Sequence, residues 1–310
     1  MSRLYSFVLP AYKARFFREA VDSILAQTYR NFELIIVNDA SPEDLDSIVM
    51  SYDDPRIKYY VNKENIGGKD LVGQWNYAVS LDCGQYLILA SDDDIYLPDF
   101  LKKMDVLISR YPQVQLFRPR IQNIDERGKI LKVRGVLKEF TTPLEFAYWL
   151  GSVGKGIPFY IFKLSALQSI GGFIKYPLAW HSDDATIITM AKNGVVFSDE
   201  ILFSFRLSGE SISTKENSSR IFKEKVSATL AYYTDLPLIL VSHKRQSAID
   251  DWYYENIMSN LLNFRSQDIK YDFNCSSRKA IIQSLPFIIK LKVFPYRRLV
   301  TMYLRRLFCI

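Results

Sequence analysis

Four short apolar runs near the N-terminus, Leu4–Leu9, Phe32–Val37, Ile57–Val61 and Tyr86–Ala90, alternate with stretches of helical spacing, and this alternation limits the fold more than any other feature. Between the first two runs, Phe17, Ala20, Val21, Ile24 and Leu25 fall on one face of a helix over Arg15–Gln27. Further helices are expected from about Glu43 and through Leu71–Leu81. Phe32–Val37 is apolar at almost every position, as a parallel strand covered on both faces should be. A β-α-β-α-β-α-β order predicts an α/β fold, a Rossmann-like and mostly parallel sheet with right-handed crossovers. Ligands of such sheets bind outside the carboxyl ends of the strands. Four polar signals lie at those ends: Tyr12, Asp39, the turn Asn65-Ile66-Gly67-Gly68, and the triplet Asp92-Asp93-Asp94.

Three adjacent carboxylates repel one another, so a fold that gathers them needs a compensating cation. Hard oxygen ligands at a strand end suit Mg²⁺ or Mn²⁺, which bind through one or two carboxylates plus substrate phosphates. An acidic loop that caps a helix over Leu97–Tyr111, through Asp94 or Asp99, is the plainer alternative. No G-x-G-x-x-G follows the first strand and no G-x-x-x-x-G-K-[ST] occurs, so dinucleotide and P-loop readings lose their main support. The 310 residues suffice for one large α/β domain plus an appendage, and 48% hydrophobic with 24% charged residues is an ordinary globular composition. Cys83, Cys275 and Cys309 are scattered, odd in number and without metal-type spacing, which argues for a reducing compartment. Met1–Pro10 runs directly into a strand pattern rather than a signal peptide, and no apolar run reaches the roughly 18–20 residues of a spanning helix. A cytoplasmic protein is expected, with peripheral contact on the cytoplasmic face of the inner membrane as a further expectation.

The middle of the chain alternates less regularly. Val114–Arg118 reads as a strand, Asp125–Lys129 as a hairpin turn, and Thr141–Leu150 as a helix entered through Thr142-Pro143. Gly151–Gly156 reads as a flexible loop, Phe159–Phe162 as a strand, and Gly171-Gly172 as the glycine stop of the helix containing Leu164–Leu167. Asp183-Asp184 precedes a helix over Ala185–Asn193, and Val195–Asp199 is the next strand. Helices over Ile221–Tyr233 and Ser247–Phe264 and a linker over Lys270–Ser277 lead to a last segment in which Lys and Arg interleave with bulky apolar residues from Pro286 to Phe308. That composition suits an interfacial helix on anionic lipid, or equally a packed helix with its basic face in water. The net charge of +6 has no nucleic-acid motif beside it.

Several ordered motifs give these signals a common source: Phe7-Val8-Leu9-Pro10-Ala11-Tyr12, Ser23–Tyr29, Phe32–Ser41, Asn65-Ile66-Gly67, Gly73-Gln74-Trp75-Asn76 and the acidic stretch. In that order the chain resembles glycosyltransferase family 2 over roughly residues 3–215. The resemblance implies a GT-A fold over 1–215, with a nucleotide-sugar half over about 1–100 and an acceptor half over about 101–215. Residues 216–310 would form a helical, membrane-associating extension. The implied activity is inverting, metal-dependent transfer of a sugar from a UDP- or dTDP-sugar to a glycan or lipid-linked acceptor in surface polysaccharide synthesis, with Mn²⁺ or Mg²⁺ as cofactor.

Carried over by position, Pro10 and Tyr12 would line the nucleotide pocket, Asp39 would accept bonds from the base, and Asn65 and Gly67 would admit the backbone to the nucleotide. Asp93 would bind metal with Asp94 beside it, and Asp92 would lie by the ribose or sugar. The family's commonest Asp-x-Asp-Asp is here Ser91-Asp92-Asp93-Asp94, and its frequent Tyr-Arg-x-His has Ser208 in place of His, with Arg206 retained to reach phosphate. An acid before the later helix would be the general base; counting back from Met190-Ala191 favours Asp183 over Asp184, and either also suits a helix start. A sugar nucleotidyltransferase and a catalytically degenerate scaffold are the alternatives. The first lacks a glycine-rich basic loop after strand one; the second is motivated by Ser91 and Ser208.

Overall fold

The computed structural model describes residues 4–81, 84–208 and 217–291. It opens with the expected alternation: β1 (Tyr5–Ala11), α1 (Phe17–Leu25), β2 (Phe32–Asn38), α2 (Leu45–Met50), β3 (Ile57–Val61), α3 (Leu71–Val79) and β4 (Tyr86–Leu89). β1 pairs in parallel with β2 and with β4, so that Val8 lies between Ile35 and Leu89, and β3 extends the parallel set beyond β2. All residues of β2 and β4 are buried, which requires cover on both faces. α1 supplies part of it by turning Phe17, Ala20, Val21 and Ile24 inward. Asp44 and Asp70 start α2 and α3 by accepting the amides of Ser47 and Gly73, both at 3.0 Å.

The second half adds β5 (Ile95–Tyr96), α4 (Phe100–Arg110), β6 (Leu116–Ile124), β7 (Ile130–Val133), β8 (Phe140–Thr141), α5 (Pro143–Val153), β9 (Ile161–Lys163), α6 (Leu164–Ser169), α7 (Ser182–Met190) and β10 (Val195–Arg206). Across the sheet the order is β3-β2-β1-β4-β9-β6-β10-β5, with β7 on β6 and β8 on β10. β9 is antiparallel to both β4 and β6, and β10 is parallel to β6. Two reversals restore the direction, so the carboxyl ends of β4, β6 and β10 point to one edge. The acidic triplet after β4 therefore meets the end of β10, more than a hundred residues away, as expected of a fold that binds ligands at that edge.

Several boundaries differ from the sequence expectation, each for a packing reason. α4 starts at Phe100 rather than Leu97, because Ile95 and Tyr96 pair with Ser204 and Phe203 of β10 as a short antiparallel strand. The strand expected over Phe159–Phe162 is a 3₁₀ turn at Ile157–Phe159 followed by β9, and the strand from Val195 runs on through a bulge to Arg206. α5 extends to Val153, shortening the expected glycine loop.

The C-terminal helices are α8 (Ser219–Val241), α9 (Ala248–Asn274) and α10 (Arg278–Lys290). The linker expected at Lys270–Ser277 is mostly helix: Ile269 and Phe273 of α9 are buried with Phe222 and Val226 of α8 and Ile281 and Ile288 of α10, and this small core needs α9 to reach that far. α8 also carries Ala228, Tyr232, Leu236 and Leu240 into the main core, which ties the helical region to the sheet domain. Among the described residues no helix is long and apolar enough to cross a membrane. The expected basic tail from Lys292 onward lies outside the described residues, as do Cys83 and Cys309.

Phe273→Ala should cost about 3–5 kcal/mol, the usual toll for truncating a buried aromatic side chain. A lowered urea midpoint would report it; a midpoint unchanged from wild type would mean that this small core contributes nothing to stability.

Candidate active site

The edge where the parallel strands end holds two acidic pairs, and each is divided the same way. In the first, Asp94 is 0% exposed while Asp92 and Asp93 are half-buried. Asp94 Oδ1 accepts the Arg206 amide at 2.9 Å and its Oδ2 has no partner among the described residues. Burial and the neighbouring Asp93 charge push this carboxyl well above the usual range. Asp92 is raised too, chiefly by burial, although its Oδ2 accepts the amides of Lys13 (2.9 Å) and Tyr12 (3.0 Å). Those two bonds clamp the loop after β1 to the acidic turn, leaving the Tyr12 ring 42% exposed at the edge.

Asp93 is bracketed by the two serines that stand where the resemblance expects an acid and a histidine. Ser91 Oγ donates to Asp93 Oδ1, and Ser208 Oγ lies 3.5 Å from Asp93 Oδ2. Replacing an acid by a hydroxyl donor here reduces like-charge repulsion and aims one carboxylate. The described residues contain no cluster of three or more His, Cys, Asp or Glu side chains suited to a metal. A half-buried carboxylate flanked by acids and held by hydroxyls fits a cation bound partly by substrate phosphates, as Mg²⁺ and Mn²⁺ sites commonly are.

Arg206 is not where the resemblance puts it. The side chain is 1% exposed and its guanidinium is committed: Nε donates to the Asp93 carbonyl at 2.8 Å, Nη1 to the Glu126 carbonyl at 3.0 Å, and Nη2 to Glu19 Oε2 at 2.6 Å. The ring of Phe16 lies 4.3 Å from its centre. With these groups taken, a bidentate bond to phosphate is unavailable, and Arg206 instead fixes the backbone of the acidic turn.

Asp39 is likewise buried and occupied. Its Oδ1 accepts from Asn62 Nδ2 (2.7 Å) and the Ile66 amide (2.9 Å), and its Oδ2 from the Gly67 amide (2.7 Å). A Cβ on Gly67 would come within 2.9 Å of that oxygen, so glycine is needed for the approach to Asp39. Asn65 caps its own turn by accepting the Gly68 amide. Pro10 is the next-to-last residue of β1, opposite Val37.

The second pair opens α7. Asp184 is 1% exposed, and its Oδ2 accepts from Lys155 Nζ at 2.7 Å and lies 2.9 Å from His181 Nδ1. Burial works against its charge, but Lys155 and His181 outweigh it and hold the carboxyl below its ordinary value. Asp183 is half-buried and faces a cleft of about 420 Å³ lined by Trp75, Lys155, Trp180, His181, Asp268 and Tyr271, among others. Burial first and the Asp184 charge second push Asp183 up to about 6. His181 adopts a left-handed conformation (φ 65°), as do Leu178 and Ala179 before it, a strained run of a kind that persists where the surroundings hold it. They do: the imidazole stacks on Tyr232 of α8 at 4.6 Å, and Nε2 lies 3.2 Å from Thr229 Oγ1.

Sequence reasoning missed Lys155, taken as part of a flexible glycine loop, and gave no role to His181 or Trp75. Lysine among glycines gave no sign of a buried partner, and Thr229, Tyr232 and Asp268 carry no motif at all.

A mostly parallel sheet with acids along its carboxyl edge and a second acid at a helix start defines the architecture of GT-A glycosyltransferases. Residues 6–164 match the model of Glycosyl transferase family 2, and the chain belongs to that family. It is 41% identical over 99 residues to an uncharacterized glycosyltransferase of Rickettsia typhi, covering 32% of this chain and 30% of that one. It is 26% identical over 146 residues to the Escherichia coli UDP-Glc:alpha-D-GlcNAc-diphosphoundecaprenol beta-1,3-glucosyltransferase WfgD, covering 47% of this chain and 53% of the other. The chain thus spans between 30% and 53% of the length of these relatives. Among solved structures, S. aureus TarS (residues 1–349) in complex with UDP-GlcNAc superposes with a TM-score of 0.62 at 18% identity, over 90% of this chain and 81% of that one, a likeness of fold.

Asp184→Asn should lower the Asp183 pKa from about 6, because it removes the second-largest cause of the rise. Carboxyl-carbon NMR titration of Asp183 in both proteins measures this; an unchanged or higher value would mean that the Asp184 charge does not act on Asp183.

Proposed function

We propose that the protein transfers a sugar, with inversion at the anomeric carbon, from a nucleotide diphosphate donor bound at the β1–β4 edge to a hydroxyl of a glycan or lipid-linked acceptor held in the cleft at α7. UDP- or dTDP-sugars are the expected donors. The reading is carried by Asp183, a carboxylate that faces an aromatic cleft and is raised to about 6, poised for proton abstraction near neutral pH. Its neighbour Asp184 is buried, ion-paired and held by His181, so the two acids have separate tasks.

In the transfer, an acceptor hydroxyl oxygen bonds to the anomeric carbon as the bond from that carbon to the diphosphate oxygen breaks on the opposite face. The hydroxyl proton passes to the Asp183 carboxylate, and the developing positive charge on the sugar ring resembles that of glycosidic cleavage at the same carbon. Asp93, with Asp92 beside it, would hold Mn²⁺ or Mg²⁺, and the cation would offset charge on the departing diphosphate. Asp94 and Arg206 hold that turn from behind, and Asp39 keeps the Asn62–Gly67 loop closed against the strand ends. Tyr12, exposed at the same edge, is the side chain best placed to meet a base.

Calorimetry with UDP and Mn²⁺, with and without chelator, tests the donor half. Metal-dependent binding that is lost in Asp93→Ala is expected; binding that is indifferent to chelator and to Asp93→Ala overturns the metal assignment. For the acceptor half, Asp183→Asn should reduce turnover about 10²–10⁴-fold, the usual worth of a positioned base, without altering UDP affinity. Wild-type turnover should rise with pH through about 6, since the base works deprotonated. An acid limb that survives in Asp183→Asn would assign the base to another group.

A further inference from the structure

The cleft at Asp183 is closed by a residue from outside the family-matched segment. Asp268 of α9 lines it together with Asp183, Trp75, Trp180 and Tyr271. One Asp268 oxygen, Oδ2, accepts from Tyr233 Oη at 2.6 Å and lies 3.9 Å from His181 Nε2. Its Oδ1 has no bond to any described group, and the side chain is a third exposed. Trp180 is held from another side by Lys225, whose Nζ is 3.9 Å from the ring centroid, and Trp75 by an edge-to-face contact with Phe173 at 5.8 Å. The cleft therefore combines two braced indoles, a carboxylate raised to about 6, and a second carboxylate with an unused acceptor oxygen. Its cation, Lys155, is already engaged by the buried Asp184.

We infer that α9 supplies the acceptor-reading wall of this enzyme, with Asp268 accepting a hydroxyl of an uncharged pyranose that stacks on Trp75 or Trp180. A pyranose presents C–H faces to indole and O–H donors at its rim, which matches rings flanked by acceptor-only carboxylates. An acidic sugar would bring its own carboxylate toward Asp183 and Asp268 with no free cation among the described lining residues, and like charges there cost binding. The inference rests on the reading of Asp183 as the base. It adds that α9, which lies outside the matched region at 6–164, takes part in acceptor choice.

The test is tryptophan fluorescence titration of the full chain with UDP and Mn²⁺ present, using the methyl β-glycosides of glucose, galactose, N-acetylglucosamine and glucuronic acid. Two of the four tryptophans line the cleft, so occupancy should change the emission. At least one neutral glycoside is expected to bind, and Asp268→Asn, which can still accept from Tyr233, should weaken it about tenfold, the worth of one hydrogen bond to a charged group. The glucuronide should bind wild type more weakly than the neutral glycosides and gain in Asp268→Asn. UDP affinity, measured separately by calorimetry, should match wild type in this variant. If UDP binds but no neutral glycoside does, if Asp268→Asn leaves their affinity unchanged, or if the glucuronide binds wild type as well as they do, the inference is overturned. Failure of UDP itself to bind would instead count against the donor reading.

Discussion

The buried Asp184 carboxylate is the contact on which the cleft at α7 depends. It joins Lys155 from the loop after α5 to His181 at the start of α7, and His181 in turn rests on Tyr232 and Thr229 of α8. A buried carboxylate is tolerated only when paired and hydrogen-bonded, and removing a partner would leave charge stranded in a low dielectric. The left-handed conformation of His181, which follows those of Leu178 and Ala179, is held by the same contacts. One ion therefore fixes the loop geometry, keeps Lys155 engaged, and raises the affinity of Asp183 for its proton.

The edge where β1 and β4 end follows a parallel logic with different parts. Asp94 is the buried member, bonded to the Arg206 amide, and Asp93 the outward one, held by Ser91 and faced by Ser208. Arg206 grips the carbonyls of Asp93 and Glu126 and the carboxylate of Glu19, so the acidic turn, the β6–β7 hairpin and α1 are tied at one point. In both pairs one acid is buried and bonded within the fold while its neighbour stays half-buried beside it. The two serine substitutions make sense in this setting, since each puts a neutral hydroxyl beside a carboxylate already crowded by acids.

Much of this was legible in the residues. The apolar runs and helical spacing gave β1 to β4 and α1 to α3 nearly as they stand, because a parallel strand covered on both faces has few other sequences open to it. The acids at the strand ends were legible for the same reason: strand ends are where such sheets present ligands. What stayed hidden depended on partners far away in the chain. Which of Asp183 and Asp184 is buried and ion-paired is decided by Lys155, and whether Arg206 is free or spent is decided by Glu19 and the Asp125–Glu126 hairpin. The length of α9 was misjudged because Ile269 and Phe273 read as isolated apolar residues until α8 and α10 are packed against them.

Local pattern by itself determined the fold class, the acidic edge and the family, since periodicity, turn residues and motif order are properties of neighbouring positions. Tertiary structure alone decided which acid of each pair is buried, the burial of Arg206, and the place of α9 in the wall of the cleft at Asp183. Charge, burial and hydrogen-bond supply at those positions are set by groups that only the folded chain brings within a few ångströms, and no local pattern encodes them.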